Sequence, residues 1–352
     1  MLIFKRRRRA GGGKGGRERG GQRQEQGRQQ QQRRRRGGEL GSQPPRRLNI
    51  IVVGSSKGGV GKSLVAANLA VALAVYTDSP VAAVDADLDN MTLSERLPPH
   101  DFYKRVSEAL ARQGETVLSF ADFLVEGVVP AGRVVPVVKD STRACTSDPI
   151  EYRVRLVPAL DPLRLAELRA SVQGLDAIML RSGVDALIEW LRERGYVAVI
   201  DAKQKSNLGI NYEPLYSALL ERADVFILVT EPPYLGFSDI TAPYTEFLSK
   251  TVIVVNKVLG EHVQRVALLM RDAAREGVPV HIIPHDDKDA EVYVRKLRAP
   301  AADSLARRTA IYVAALAARL RLLDWRRVSE AGCAERVQRV VQLHEEAAGG
   351  VA

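Results

Sequence analysis

The stretch NIIVVGSSKGGVGKSLVAANLA, residues 49–70, contains the strongest structural signal in this 352-residue sequence. The apolar, mostly β-branched residues at 50–53 predict a buried strand, and the apolar pattern after Lys62 predicts a helix. Three glycines within 58–61 connect the two, so that backbone N–H groups can point at a phosphate near the helix N-terminus. This stretch therefore predicts a phosphate-binding loop between a buried strand and a helix.

Short apolar runs and helical patterns alternate along the chain up to about residue 322. Such repeated units are typical of the α/β class, with a mainly parallel central sheet flanked by helices. Strands are predicted at 48–53, 81–85, 154–158, 197–201, 224–230, 251–256 and 278–284. Helices are predicted at 62–76, 176–194, 261–276 and 301–322. In the less regular stretch 98–150 we expect one helix at 103–112, followed by loop-rich structure.

Composition and charge divide the chain into three segments. Residues 1–47 are rich in Arg, Gly and Gln and hold 16 basic residues against three Glu, a net charge of +13 within the chain total of +10. The other residues therefore sum to −3. Because residues 1–47 contain almost no apolar side chains after Phe4, they cannot form a core and are predicted to be a disordered basic tail. The globular domain is predicted at 48–325, and a C-terminal helix and tail at 326–352.

Several classes of protein are excluded by the composition. Cys145 and Cys333 lie far apart and form no Cys-x-x-Cys pair, so zinc ribbons, cysteine-bridged iron–sulfur sites and disulfide frameworks lack their ligands. Reduced thiols in a cytoplasmic protein are therefore expected. No apolar run is long enough to span a membrane, and no secretory signal pattern is found. His281 and His285 have no third patterned ligand, so a surface loop is favoured there over a metal site.

Carboxylates follow two of the predicted strands at their C-terminal ends, where parallel sheets bind ligands. Asp85 and Asp87 end or follow the strand at 81–85, and Asp201 ends the strand at 197–201. Next to a phosphate loop, carboxylates at such positions hold Mg²⁺ and its water molecules or orient an attacking water. These three residues are therefore predicted to belong to the phosphate site.

The identity of the base is indicated by the strand at 251–256. Its last residue is Asn256, and Lys257 follows. In guanine-binding proteins such an Asn-Lys pair is followed, after one more residue, by an Asp that accepts both guanine N–H groups. Here Val258 and Leu259 follow, so the guanine acceptor is missing. Adenine is therefore the predicted base.

The phosphate loop departs from the common pattern at one position and adds a lysine. Ser56 stands where the common motif has Gly, and Lys57 directly precedes Gly58. This sequence resembles the deviant Walker A motif of the ParA/MinD family of dimeric ATPases, and residues 81–97 resemble the switch I of that family. The resemblance covers about 48–322 and implies a P-loop NTPase fold of the SIMIBI type.

The sequence departs from that family directly after Asp201. The family usually continues with a small residue and Pro, whereas this chain reads Ala202-Lys203-Gln204-Lys205. Two interpretations of these lysines stay open, a solvated loop face or contacts with an anion such as DNA. The lysines also place the coupling to a partner and the rate of hydrolysis in question.

The motif and the resemblance together imply a set of site residues. The expected catalytic residues are Lys57, which the resemblance places at the nucleotide of a partner subunit, Lys62 at the β- and γ-phosphates, and Asp87 at the attacking water. The expected nucleotide-binding residues are Gly58, Gly59, Val60, Gly61, Lys62, Ser63, Leu64, Asn256 and Pro284. The expected Mg²⁺-binding residues are Ser63, Asp85 and Asp201. The expected ligands are ATP and Mg²⁺.

Together these features predict a Mg²⁺–ATP-dependent dimerising ATPase switch in DNA segregation or cellular positioning, with slow, partner-stimulated hydrolysis. The predicted partners are a second copy of the chain, an activating protein, and DNA or RNA bound without sequence preference by residues 1–47. Two alternatives stay open, a membrane-surface regulator of the MinD type and a nucleotide-gated scaffold that does not hydrolyse ATP. The C-terminal helix would be a poor membrane anchor, because its apolar stripe is narrow and free of aromatic residues. The expected location is the cytoplasm, with association with the nucleoid.

Overall fold

A computed structural model of the protein describes residues 49–55, 57–99, 101–204, 212–232 and 236–349. Its strands, in chain order, are β1 (Ile50–Gly54), β2 (Val81–Ala86), β3 (Thr116–Val117), β4 (Arg133–Val134), β5 (Val137–Arg143), β6 (Pro149–Val157), β7 (Val197–Ala202), β8 (Val225–Thr230), β9 (Thr251–Val258) and β10 (Val280–Pro284). Its α-helices are α1 (Lys62–Tyr76), α2 (Thr92–Arg96), α3 (Phe102–Ala111), α4 (Phe120–Glu126), α5 (Leu165–Gln173), α6 (Ala177–Glu193), α7 (Tyr212–Arg222), α8 (Phe237–Thr241), α9 (Val263–Arg275), α10 (Asp287–Arg295), α11 (Pro300–Asp303), α12 (Arg308–Arg319), α13 (Trp325–Glu330) and α14 (Ala334–Gly349). The predicted tail at 1–47, Ser56 and Lys205 lie outside the described residues.

Eight of the strands form one sheet in the order β10-β9-β8-β1-β7-β2-β6-β5. Neighbouring strands from β10 to β6 pair in parallel, and β5 pairs with β6 in the antiparallel direction. Strands such as β1 and β8 are buried along their whole length, which is characteristic of parallel sheets covered on both faces. The predicted α/β class with a mainly parallel sheet is therefore confirmed.

Helices cover both faces of the sheet, and the residues of β1 alternate between the two layers. Ile51 and Val53 pack in one buried cluster with α1, α12 and α14, whereas Ile50 and Val52 pack in another with α4, α6 and α7. A third cluster joins α9 to β9 and β10. Because side chains alternate along a strand, β1 contributes to two cores. The loop that follows β1 therefore starts from a rigid position at the centre of the domain.

Several stretches differ from the prediction, and α2, α5, α7, α8 and α10 lie where the sequence predicted no helix. The helix expected at 103–112 is present as α3, but the rest of 98–150 also forms α4 and the antiparallel edge strand β5. The single helix expected at 301–322 is divided into α11 and α12. The division occurs because Ser304 has an extended backbone and the next N–H, of Leu305, donates to the carbonyl of Arg143 at 2.8 Å.

The C-terminal helix α14 is connected to both edge strands of the sheet. Just before the helix, Cys333 forms a disulfide with Cys145 in the β5–β6 turn, across 188 positions of sequence and with a Cα–Cα distance of 5.3 Å. Near its end, His344 accepts a hydrogen bond from the N–H of Ile282 on β10 at 2.9 Å. The expectation of reduced thiols is wrong, because the fold brings together two cysteines that are distant in the sequence.

The apolar stripe of α14 faces the protein body. Val337 and Val340 are buried in the same cluster as α1 and α12, while Leu343 on the same helix is exposed. In the described part of the chain, no helix has both the length and the apolar character that crossing a membrane requires. The buried valines leave α14 with little apolar surface for another partner.

Candidate functional site

The phosphate loop leaves the carboxyl end of β1 and enters the first turn of α1. Gly61, at the N-cap of α1, has a φ of +93°. A Cβ at this position would lie 2.2 Å from Asn256 Nδ2, so both conformation and space require glycine. Asn256 Nδ2 donates to the carbonyl of Val60 at 2.9 Å. The end of β9 therefore braces the phosphate loop.

The neighbouring lysine reinforces this contact. Lys257 Nζ donates to the carbonyl of Gly59 at 2.6 Å and pairs with Glu231 at 3.1 Å. Leu64, another predicted nucleotide-binding residue, is half-buried in the first turn of α1. Pro284 lies on β10, which β9 and β8 separate from β1. The structure thus brings Asn256 to the phosphate loop and leaves Pro284 three strands from β1.

Lys62 extends from the start of α1 to the end of β7. Its Nζ forms an ion pair with Asp201 and lies 3.4 Å from Ser63 Oγ. Burial raises the pKa of the Asp201 carboxyl, and the nearby Lys62 opposes this shift. Asp201 Oδ2 is buried and has no hydrogen-bond partner among the described residues. Such an oxygen fits a water molecule bound to Mg²⁺, since hard cations and their waters prefer carboxylate oxygens.

Asp85 lies beside Asp201, its register partner on the neighbouring strand. Its Oδ2 accepts hydrogen bonds from Ser94 N–H and Ser94 Oγ, both at 2.8 Å, and its Oδ1 accepts from Asp87 N–H at 3.1 Å. Burial, together with the negative charge of Asp201, raises the pKa of Asp85 to about 7. The structure therefore places Asp85 next to the predicted metal site, with its hydrogen bonds directed at Ser94 on α2 and at the start of the loop 87–91.

Asp87 is held within this loop by neighbouring donors. Its Oδ1 accepts from the N–H of Asp89 at 3.2 Å and of Asn90 at 3.0 Å, and Asn90 Nδ2 donates to Oδ2 at 3.1 Å. Lys203 reaches the same loop from the end of β7. Its Nζ lies 2.7 Å from Asp89 Oδ2 and 3.6 Å from Asp87 Oδ1. The Lys203 side chain is only 16% exposed, so its interpretation as a solvated loop residue is wrong.

The phosphate loop, the start of α1 and the chain segments after β2 and β7 line a cleft of about 420 Å³. The residues that line it include Lys57, Lys62, Ser63, Asp87, Lys203 and Tyr293. Lysines and the N–H groups of the loop suit a polyphosphate, and a carboxylate suits a proton acceptor. The three predicted catalytic residues thus lie at the same cleft.

Tyr293 on α10 is a residue of the cleft that no sequence motif indicates. The guanidinium of Arg96 lies over its ring, 5.3 Å from the ring centroid, and donates to its carbonyl at 3.0 Å. Burial raises the pKa of its hydroxyl, which therefore stays neutral. Lys203 could have been placed at the cleft from the sequence, because it follows Asp201 by two positions. Tyr293 lies on α10, where the sequence predicts no helix, so no sequence signal identifies it.

A buried strand, a glycine-containing loop, a helix and carboxylates on adjacent strands define a phosphate-loop nucleotide-binding domain. Residues 51–299 match a family model described as the CobQ/CobB/MinD/ParA nucleotide binding domain. The chain therefore belongs to this family, and the resemblance inferred from the phosphate loop is confirmed.

Solved structures with a similar fold include members of the same family. The MinD cell division protein of Aquifex aeolicus is 19% identical, with 78% of this chain and 96% of that chain covered and a TM-score of 0.50. The pnob8 ParA protein is 14% identical, with 84% and 98% covered and a TM-score of 0.50. MinD of Pyrococcus horikoshii, solved with Mg-ADP, is 20% identical, with 78% and 97% covered and a TM-score of 0.49. Among curated proteins, no sequence matches the chain significantly.

Proposed function

We propose that the protein is a Mg²⁺–ATP-dependent, dimerising ATPase that acts as a switch in DNA segregation or cellular positioning. The observation that carries the proposal is the meeting of Lys57, Lys62 and Asp87 at one cleft. The lysines supply positive charge for phosphates, and Asp87 supplies a carboxylate that can accept a proton from water. Membership of the CobQ/CobB/MinD/ParA family supports nucleotide binding.

In the proposed reaction, water attacks the γ-phosphorus of ATP, the bond to the β–γ bridging oxygen breaks, and ADP and phosphate leave. Asp87 accepts the proton of the attacking water. The loop N–H groups and Lys62 hold the β- and γ-phosphates, so Lys62 exchanges its ion pair with Asp201 for phosphate oxygens. Ser63 and Asp201 would hold Mg²⁺, which when bound neutralises phosphate charge.

Two features support ATP and a dimer in particular. Leu259 stands where a guanine-binding protein would carry its Asp, so the guanine N–H groups would find no carboxylate there. Lys57 is exposed while it lines the cleft, which suits a cation that completes the nucleotide site of a second copy. ATP bound between two subunits would then hold the dimer together, and hydrolysis of the ATP would let the subunits dissociate.

Steady-state ATP hydrolysis by the full chain, with and without DNA, tests the reaction. We expect slow turnover in the wild type and none in Asp87→Ala, with ATP binding retained in both. Asp185→Ala is a matched control, because Asp185 is an exposed carboxylate paired with Arg222 on the surface. Tight ATP binding without turnover in the wild type would favour the scaffold alternative. Full activity in Asp87→Ala would show that another group accepts the proton.

We further propose that residues 1–47 bind DNA without sequence preference and place the switch on a DNA track. A net charge of +13 on this segment would release many counterions from a phosphate backbone, so binding should weaken steeply with salt. Co-sedimentation with DNA, and separately with anionic liposomes, compares the full chain with a version that starts at Leu48. Loss of salt-sensitive DNA binding on removal of residues 1–47 is expected. Binding to liposomes alone would favour the membrane alternative.

A further inference from the structure

The end of β7 and the loop after β2 lie side by side at the cleft. The two strands pair in register, Asp85 with Asp201 and Ala86 with Ala202. The chain segments that follow therefore leave the sheet next to each other, and Lys203 comes to lie beside the loop that begins at Asp87. Its Nζ is 2.7 Å from Asp89 Oδ2 and 3.6 Å from Asp87 Oδ1.

This contact is largely shielded from water. The exposed fractions of the three side chains are 16% for Lys203, 5% for Asp87 and 3% for Asp89. Carboxylates removed from water need nearby positive charge or hydrogen-bond donors to stay ionised at low cost. Lys203 supplies such a charge to both carboxylates at once. Surface ion pairs such as Lys139–Glu151, whose side chains are more than half exposed, lack this shielding.

We propose that Lys203 is a positioning residue that anchors the loop 87–91 to the end of β7 and thereby keeps Asp87 directed at the phosphate cleft. The proposal rests on the role of Asp87 in hydrolysis proposed above. Asp89 is the anchor point on the loop, because its carboxylate makes the shorter contact with Lys203. The N–H of Asp89 also donates to Asp87 Oδ1 at 3.2 Å, so a shift of Asp89 is transmitted directly to Asp87.

Kinetics of four variants test this role, Lys203→Met, Lys203→Arg, Asp89→Asn and the double variant Lys203→Met/Asp89→Asn. We expect kcat to fall about 10- to 100-fold in Lys203→Met and in Asp89→Asn, because a displaced catalytic group is costly, while KM for ATP stays within about threefold. Lys203→Arg keeps the charge and should retain most of kcat. In the double variant the fold decrease in kcat should be smaller than the product of the two single decreases, because the two residues act through one contact.

Lys139→Met is the matched control, since it removes a lysine from an exposed ion pair. Wild-type kcat in Lys203→Met, or strictly multiplicative losses in the double variant, would overturn the proposal. A large rise in KM with kcat unchanged would assign Lys203 to ATP binding and overturn it as well.

Hydrogen exchange provides a readout that does not require hydrolysis. We expect amides in peptides covering 87–97 to exchange faster in Lys203→Met than in the wild type, while peptides from α12 are unchanged. If the wild type binds ATP without hydrolysing it, the proposed function fails, and the exchange data still test the anchor. Unchanged exchange in 87–97 would show that Lys203 does not hold the loop.

Discussion

The rings of His281 and His344 stack in parallel at a centroid distance of 4.2 Å, where β10 meets the C-terminal helix. His344 Nε2 accepts the N–H of Ile282, and His281 Nδ1 lies 3.3 Å from the guanidinium of Arg319. Burial lowers the pKa of both imidazoles, and that of His281 falls well below its ordinary value. A proton on either ring would add positive charge beside Arg319 in a poorly solvated place.

We therefore expect the protein to lose stability as the pH falls below about 6.5. Under those conditions the unfolded chain binds protons at both histidines, whereas the folded chain keeps them neutral. The free energy of unfolding should then fall by up to about 1.4 kcal/mol per pH unit for each histidine. Urea unfolding curves measured from neutral to mildly acidic pH provide the measurement.

His344→Gln separates this contribution from that of titrating carboxylates. Glutamine offers an acceptor for the N–H of Ile282 but does not titrate. The variant should therefore show a shallower loss of stability below neutral pH than the wild type. Equal slopes in the two proteins would contradict the assigned role of His344.

A second prediction concerns the disulfide between Cys145 and Cys333. Because it closes a loop of 188 positions, its reduction should lower the free energy of unfolding by up to about 5 kcal/mol. Unfolding measured with and without a reductant gives this difference. The variant Cys145→Ser/Cys333→Ala should have the stability of the reduced protein, and the reductant should not change it. An unfolding midpoint that reductant does not move would show that the bond contributes no stability.

A third prediction distinguishes loop bracing from base recognition by Asn256. Asn256→Ala removes the hydrogen bond to the Val60 carbonyl. Such a bond contributes about 1 kcal/mol, so the affinity for nucleotide should fall roughly fivefold. Since the amide contacts the phosphate loop, the affinities for ATP and for GTP, measured by titration calorimetry, should fall by the same factor. A changed ratio of the two affinities would instead indicate contact with the base.

A fourth prediction concerns Lys57. If this lysine completes the nucleotide site of a second copy, Lys57→Ala should abolish ATP-induced dimerisation and hydrolysis while the monomer still binds ATP. Light scattering and calorimetry measure the two properties separately. Lys139→Ala, at an exposed position on β5, should behave as the wild type. Normal dimerisation and turnover in Lys57→Ala would remove the basis for the dimer model.

The central part of the fold was predictable because its signals are local. The strand and loop before Lys62 lie within one short stretch, and the carboxyl ends of β2 and β7 follow apolar runs. The antiparallel strand β5 was missed because only Val138 and Thr142 of its seven residues are fully buried, so no long apolar run marks it. Its partner β6 begins at Pro149 rather than at the predicted 154, and the alternation of Ile150, Tyr152, Val154 and Leu156 with polar residues is the signal for that extension.

The parts of the site that depend on a single strand or loop were predictable from the sequence. Lys62, Asp87 and Asp201 were placed together because the ends of parallel strands meet at one edge of a sheet. The contact of Lys203 with Asp89 depends on the register between β2 and β7, and the disulfide depends on the path of the whole chain. Such long-range pairings are not encoded in any local pattern, so they required the three-dimensional structure.

The hydrogen bond from Ile282 to His344 has a consequence for one edge of the sheet. β10 is an edge strand, and an edge strand with free backbone donors can accept a strand from another molecule and begin aggregation. The imidazole of His344 occupies one of these donors, and the helix that carries it packs against α12, which contacts β10. Loss of this hydrogen bond would free the donor, so displacement of α14 should promote association between molecules through β10.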